Sequence, residues 1–258
     1  MKKGFTLAEV LITLGVIGIV AAITLPTIIK NYREKAIVSQ VEKTYSMLNE
    51  AFSRAISEYG TVDNWCSINS TSDYPICAEK MRDILSKYLK VTKVCTNWTD
   101  CTAKGGYTSV QNDKMTIDPI LYYYRAMRLA NGMGITFDAR NWDNILSHWC
   151  ENYTNSRLGV NDLSMKNCGF IYVDINGNKG PNRDGVDLFA FSIRKNGLVG
   201  HGQAGLHRNI SFEENCLKSM YDKDQGSGSC TAWVLQNKNL DYLHCPNELS
   251  WNGKTKCK

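Results

Sequence analysis

The stretch FTLAEVLITLGVIGIVAAITLPTII (residues 5–29) decides the fold, because it is apolar apart from Glu9 and a few threonines. As an α-helix rising about 1.5 Å per residue, it is about 37 Å long, enough to cross a hydrocarbon core of about 30 Å with some tilt. A carboxylate in a bilayer core costs at least about 2.5–3.5 kcal/mol on insertion scales, so Glu9 needs a compensating partner. Pro26 removes a backbone hydrogen bond and predicts a kink or a locally unwound turn.

The helical pattern continues through NYREKAIVSQVEKTYSMLNEAFSRAISEYG (residues 31–60). Apolar residues recur there at steps of three and four, with charged residues on the opposite face, as in an amphipathic helix. These apolar positions are Ile37, Val41, Tyr45, Leu48, Phe52, Ile56 and Tyr59. Gly60 supplies a C-terminal stop. The pattern predicts one helix that is apolar on all sides in its first half and amphipathic in its second.

Two ordinary classes of N-terminal segment explain only part of this pattern. A secretory signal peptide would use Lys2 and Lys3 as its basic region and residues 20–22 as its cleavage site. The apolar run, however, continues past Ala22 and contains Glu9. A plain transmembrane anchor explains the length of the run but gives Glu9 no role.

The segment KKGFTLAEVL (residues 2–11), followed by an apolar helix with Pro26, resembles the N-terminus of type IV prepilins and type II secretion pseudopilins. The resemblance implies that a prepilin peptidase cleaves after Gly4 and that the new N-terminal Phe5 is N-methylated. It assigns Glu9 and Pro26 to assembly of a helical filament with other pilin or pseudopilin subunits, through an inner-membrane assembly platform. Both classes share this N-terminus, so pilin and pseudopilin stay open.

The resemblance also suggests what compensates the charge of Glu9. Cleavage would create an ammonium group at Phe5, and two opposite charges offset each other's desolvation only if they meet. Glu9 can pair with the amine of a neighbouring subunit, which would set the axial register. It can also pair with its own amine, one helical turn away.

The resemblance divides the chain into a leader (1–4), a transmembrane and filament-core helix (5–29), an amphipathic extension (30–60) and an exported globular domain (61–258). It implies a single-pass protein of the cytoplasmic membrane, with the globular domain on the exported side. The composition, 43% hydrophobic and 21% charged over 258 residues, is that of a globular protein. Its net charge of +5 is mild, and no Lys/Arg-dense stripe carries interleaved aromatics, so we expect no nucleic-acid partner.

All ten cysteines follow Tyr59, and none belongs to a Cys-x-x-Cys pair, which argues against zinc ribbons and thioredoxin-like sites. Their confinement to the exported part predicts disulfides. Neighbours in sequence would pair as Cys66–Cys77, Cys95–Cys101, Cys150–Cys168, Cys216–Cys230 and Cys245–Cys257. Buried free thiols are the alternative.

Five segments of the globular part have recognisable patterns. AEKMRDILSKYLK (residues 78–90) predicts a helix, and CTAWVLQNKNLDYLHC (230–245) a short helix between cysteines. AMRLANGMGITFD (126–138) predicts a hairpin around its Asn-Gly turn. CGFIYVDI (168–175) and VDLFAFSI (186–193) predict two more strands. The expected fold is α+β, a long N-terminal helix packed on a small antiparallel sheet in a disulfide-braced, pilin-like domain.

The loop DINGNKGPNRDGVD (residues 174–187) is a candidate calcium site. Asp174, Asn176 and Asn178 alternate like the oxygen ligands of loops that curl around calcium. The remaining oxygen ligands would be Asn182, Asp184 and Asp187. The spacing departs from an EF-hand, with Lys179 at position six and Gly185 at position twelve, and Lys179 and Arg183 add positive charge. A glycine-rich hairpin turn is the alternative.

No nucleophile elbow, Walker loop or catalytic pair of carboxylates appears in the sequence. The histidines are expected in solvated loops; they are His148, His201, His207 and His244. These observations predict a structural subunit and not an enzyme. The alternative is a membrane-anchored exported binding protein or adhesin that uses only the prepilin pathway.

Overall fold

The computed structural model describes residues 6–95, 98–110, 124–140, 150, 154–155, 160–161, 167–177, 179–202, 212, 216–217 and 229–258. A long helix, α1 (Leu7–Tyr59), packs on a six-stranded antiparallel sheet. The described residues also include two shorter α-helices, α2 (Asp73–Ser86) and α3 (Thr231–Asn237). The predicted α+β fold, with a long N-terminal helix on an antiparallel sheet, is confirmed.

Helix α1 divides into two parts that differ in burial. Every residue from 6 to 33 is exposed, and α1 is long and apolar enough to cross a membrane. Burial begins at Val38 and recurs along one face, as the amphipathic pattern predicts. The helix ends at Gly60, whose N–H donates to the Ile56 carbonyl at 2.9 Å. The helix is unbroken at Pro26, so the unwound turn given above as one alternative is not found.

The sheet has the strand order β1-β2-β3-β6-β7-β8, and every neighbouring pair is antiparallel. Its strands are β1 (Val91–Cys95), β2 (Arg125–Leu129), β3 (Gly134–Asp138), β6 (Asn167–Asp174), β7 (Leu188–Arg194) and β8 (Gly197–Gly200). A separate pair is formed by β4 (Thr154–Asn155) and β5 (Val160–Asn161). The hairpin predicted around Asn131-Gly132 is confirmed as β2–β3, and the two later predicted strands are β6 and β7.

Both faces of the sheet are buried, because successive side chains of a strand point to opposite sides. One face, with Ile171 and Val173 of β6, packs against the buried stripe of α1 in the main core. Tyr45 of α1 stacks on Phe191 of β7 there, with ring centroids 6.1 Å apart. The other face, with Phe170 and Tyr172, forms a second cluster that includes Cys101 and Tyr107.

Five disulfides brace the globular part, and they join the five pairs of sequence neighbours given above. Each closes a loop of only 6 to 18 residues. Helix α2 was predicted at 78–90, but it begins five residues earlier and ends at Ser86. The observed first turn contains Pro75, and proline is tolerated there because the backbone N–H has no intrahelical partner.

Candidate functional site

The N-terminus of α1 is closed by a capping box between Thr6 and Glu9. The Glu9 carboxylate accepts hydrogen bonds from the Thr6 backbone N–H and the Thr6 hydroxyl, both at 2.8 Å. The Thr6 Oγ1 in turn accepts from the Glu9 N–H at 3.3 Å. This role of Glu9 is not among the predictions from the sequence, although Thr-x-x-Glu before an apolar run is the usual signal of a capping box.

The capping box gives Glu9 partners within its own chain. It satisfies backbone donors that the first helical turn leaves free, and it places a negative charge at the positive end of the helix. Gly4 and Phe5 lie outside the described residues. Because Phe5 precedes Thr6 directly, the nitrogen that cleavage would free belongs to the residue next to this carboxylate.

The loop between β6 and β7 buries a pair of carboxylates. Asp174 ends β6 with no exposed surface, and it accepts hydrogen bonds from the Tyr107 hydroxyl (2.6 Å) and the Asn176 N–H (3.2 Å). Asp187 precedes β7 and accepts from the Asn182 N–H. The Ile175 N–H donates to the Asp187 carbonyl at 2.9 Å, which closes the loop at its base.

Burial raises the pKa of Asp174 to about 6, and the neighbouring charge of Asp187 adds to this effect, against the Tyr107 hydrogen bond. Burial likewise raises the pKa of Asp187. The side-chain oxygens of Asn176 and Asn182 are buried and, among the described residues, accept no hydrogen bond. The loop thus concentrates negative charge and free oxygen acceptors out of contact with water.

Asp184 has a different environment in the same loop. It is fully buried, and neither carboxylate oxygen makes a hydrogen bond of normal geometry within the described structure. Burial raises its pKa to about 7, and the Gly185 backbone opposes this slightly. Burial raises the pKa of Tyr242, and the charge of Asp184 adds to this effect; the Tyr242 hydroxyl donates to the Gly185 carbonyl at 2.5 Å. The Arg183 guanidinium instead donates to the Val110 carbonyl.

The structure therefore brings together only part of the predicted calcium set. Hydrogen bonds link Asp174, Asn176, Asn182 and Asp187, whereas Asn178 lies outside the described residues. In the part of the chain that the structure describes, no three His, Cys, Asp or Glu side chains form a metal-binding group, so Asp184 does not join the other two carboxylates in one shell. Tyr107 and Tyr242, which shape the loop, come from distant segments that the sequence did not connect with it.

Two histidines differ from the solvated loop positions predicted for them. His201 is buried, with its Nδ1 at 2.8 Å from the Ser192 hydroxyl. The imidazole of His244 lies against α1, where Nε2 is 2.8 Å from Glu34 Oε1 and Nδ1 is 3.2 Å from Lys30 Nζ. His148 and His207 lie outside the described residues.

Comparison with known proteins adds three matches. Residues 1–25 match the prokaryotic N-terminal methylation motif, and residues 27–124 match a family of unknown function (DUF6613). The chain is 35% identical over 94 residues to "Type IV major pilin protein PilE1" of Neisseria gonorrhoeae. This similarity covers 36% of the chain and 48% of that protein, so the match spans about half the relative's length. No solved structure matches.

The fold and the matches agree on one class. A methylation motif at the start of a long apolar helix, an antiparallel sheet packed on the second half of that helix, and partial similarity to a type IV major pilin make the chain similar to pilins.

Proposed function

We propose that the protein is a structural subunit, a pilin or a pseudopilin, of a type IV pilus-like or type II secretion filament. The observation that carries the proposal is the first half of α1, where every residue from 6 to 33 is exposed. An apolar surface of this size needs either lipid or other apolar helices around it. The membrane first provides lipid around this helix, and a filament core of bundled helices later provides other apolar helices.

The proposal includes processing and partners. A prepilin peptidase cleaves after Gly4, and Phe5 is then methylated, as the match to the methylation motif supports. The helix is held in the cytoplasmic membrane with the globular domain on the exported side. An inner-membrane assembly platform then transfers it into the filament, where it contacts other subunits and catalyses no reaction.

Mass spectrometry of the mature protein tests the processing step. We expect a chain that begins with N-methylated Phe5. A chain that begins at Ile23 would overturn the proposal and restore the secretory signal peptide. Substitution of Gly4 by a bulky residue is expected to leave the full-length chain in the membrane, with no subunit in sheared filaments.

A membrane-anchored adhesin or binding protein that uses only the prepilin pathway is the competing function. It predicts a correctly processed N-terminus but no subunit in filaments. Immunogold labelling of filaments distinguishes the two. Deletion of the gene, scored for protein export and for surface piliation, then separates a pseudopilin from a pilin.

We also propose that the loop over residues 174–187 binds a calcium ion. The support is the linked set of Asp174, Asn176, Asn182 and Asp187, which offers hard oxygen ligands of the kind calcium prefers. Two of these oxygens are side-chain amide oxygens that accept no hydrogen bond from the described residues. A bound divalent cation would neutralise the two buried carboxylates.

The calcium proposal is tested by the melting temperature at pH 7.5 in calcium and in excess chelator. We expect calcium to raise the melting temperature of the wild-type protein, and magnesium to raise it less. Asp187→Asn should abolish the calcium-dependent rise, and Glu50→Gln, an exposed site on α1, should preserve it. Equal melting temperatures with and without calcium would refute the site.

A further inference from the structure

The apolar half of α1 is followed directly by an exposed basic and aromatic segment. Ile29 is the last residue of the apolar stretch, and Lys30, Arg33 and Lys35 follow it with exposed side chains. Tyr32 lies between them and is 75% exposed. Tyrosine is enriched at the level of the lipid headgroups on both sides of a membrane, and basic residues close to a bilayer surface are attracted to anionic lipid.

The fold brings the C-terminal segment of the chain to this same point. His244 contacts both Lys30 and Glu34 through its imidazole. The disulfide Cys245–Cys257 begins at the next residue. The Cys257 N–H donates to the Asp241 carboxylate at 2.6 Å, so Cys257 lies close to the short turn that carries His244.

Two more exposed lysines, Lys256 and Lys258, flank Cys257 and are thereby held near the emerging helix. A further acidic group in this region, Glu248, is paired with Lys254.

The acidic groups of this region are already engaged, with Glu34 bound by His244 and Asp241 by the Cys257 N–H. None of the five exposed cations forms a salt bridge among the described residues. They are Lys30, Arg33, Lys35, Lys256 and Lys258. Two stretches separated by more than two hundred residues thus place positive charges around α1 at the end of the apolar span.

We propose that these five cations and Tyr32, here named the basic collar, bind the anionic headgroups of the membrane from which α1 emerges. The inference rests on the proposed membrane insertion of α1. Position argues for lipid and against other anions: Lys30 adjoins the last apolar residue, so an inserted helix places the collar at headgroup level. The collar would hold the globular domain against the bilayer, and release from anionic lipid would accompany extraction into a filament.

Lysine footprinting of the full-length protein tests the proposal in two kinds of vesicle. One contains only zwitterionic phosphatidylcholine, and the other contains about one third anionic phosphatidylglycerol. A water-soluble acetylating reagent labels exposed lysines, and mass spectrometry gives the labelling rate at each position. Lys43 and Lys80 are exposed lysines outside the collar and serve as internal controls.

In anionic vesicles we expect labelling of Lys30, Lys35, Lys256 and Lys258 to slow at least threefold relative to zwitterionic vesicles. Salt at 0.5 M should remove most of the difference, because surface electrostatics are screened over a few ångströms at that ionic strength. The rates at Lys43 and Lys80 should not change. Equal labelling rates at the four collar lysines in both kinds of vesicle would overturn the proposal, whether labelling is fast or slow in both.

A double variant tests the basic collar independently. In Lys256→Gln with Lys258→Gln, the protection of Lys30 and Lys35 by anionic lipid should fall by more than half. The matched variant Lys43→Gln with Lys80→Gln should keep that protection. Vesicle flotation distinguishes failure of the basic collar from failure of membrane insertion. Protein that floats with both vesicle types but shows no lipid-dependent protection contradicts only the basic collar. Protein that floats with neither contradicts the membrane insertion on which the proposed function depends.

Discussion

Glu9 has two roles that can be separated by substitution. In the structure it completes the capping box of α1 through its hydrogen bonds with Thr6. In the proposed filament it also pairs, through its negative charge, with the amine of Phe5 on its own or a neighbouring chain. Glutamine preserves the hydrogen-bond acceptor of a capping box but removes the charge.

We expect Glu9→Gln to insert into the membrane as wild type but to enter filaments poorly, because it lacks the charge that pairs with the freed amine. Thr6→Ala is the matched variant, since it keeps the charge and loses the cap, at a cost of about 0.5–2 kcal/mol to the first turn. It should still enter filaments. Quantitative immunoblots of sheared filaments and of membranes measure both. Normal incorporation of Glu9→Gln would exclude the charge pair.

The buried aspartates predict an unusual dependence of stability on pH. Burial raises the pKa of Asp174 to about 6 and that of Asp184 to about 7, whereas in the unfolded chain both ionise near pH 4. The folded state therefore binds more protons between these values, and stability is lost as the pH rises through this range.

In chelator, we expect the free energy of unfolding to increase from pH 8 to pH 5. Asp184→Asn should stabilise the protein at pH 8 by roughly 1–4 kcal/mol and flatten the profile. Glu50→Gln should leave the profile unchanged. Urea unfolding at several pH values measures this, and a profile that rises with pH would contradict the burial of Asp184.

Among the secondary-structure elements, those specified by a pattern of neighbouring residues were predicted best from the sequence. Asn131-Gly132 specifies the β2–β3 turn, and the continuous apolar runs of β6 and β7 reflect burial on both faces. The edge strands β1 and β8 carry no comparable pattern. The burial of the β6–β7 loop was not predictable, because Tyr107 and Tyr242 create it from positions far away in the chain.

The first residue of β3, Gly134, has no room for a side chain. A Cβ built on Gly134 would lie 2.3 Å from the Cys101 carbonyl oxygen, whereas one on Gly105 meets nothing within 4 Å. We therefore expect Gly134→Ala to destabilise the protein by more than about 1 kcal/mol, and Gly105→Ala to change its stability by less than about 0.5 kcal/mol. Thermal unfolding followed by circular dichroism measures the difference. Equal melting temperatures would show that this strand and the Cys101 segment are not in such close contact.

The whole molecule consists of a globular body and a projecting apolar helix that share one continuous α1. Residues 6–33 bury nothing in the body, and the contribution of α1 to the core begins at Val38. Stability of the body should therefore not depend on the apolar half. The disulfides support the same division, because all five lie within the body.

A chain that lacks residues 1–29 tests this division. We expect it to be soluble without detergent and to unfold within a few degrees of the full-length protein, since Lys30 and Glu34 remain to contact His244. A chain that lacks residues 1–44 is the matched control. It loses Val38 and Val41 from the core, and each buried valine side chain contributes about 1.5–3 kcal/mol. It should melt many degrees lower. If the first truncation is as unstable as the second, the apolar half of α1 also supports the globular body.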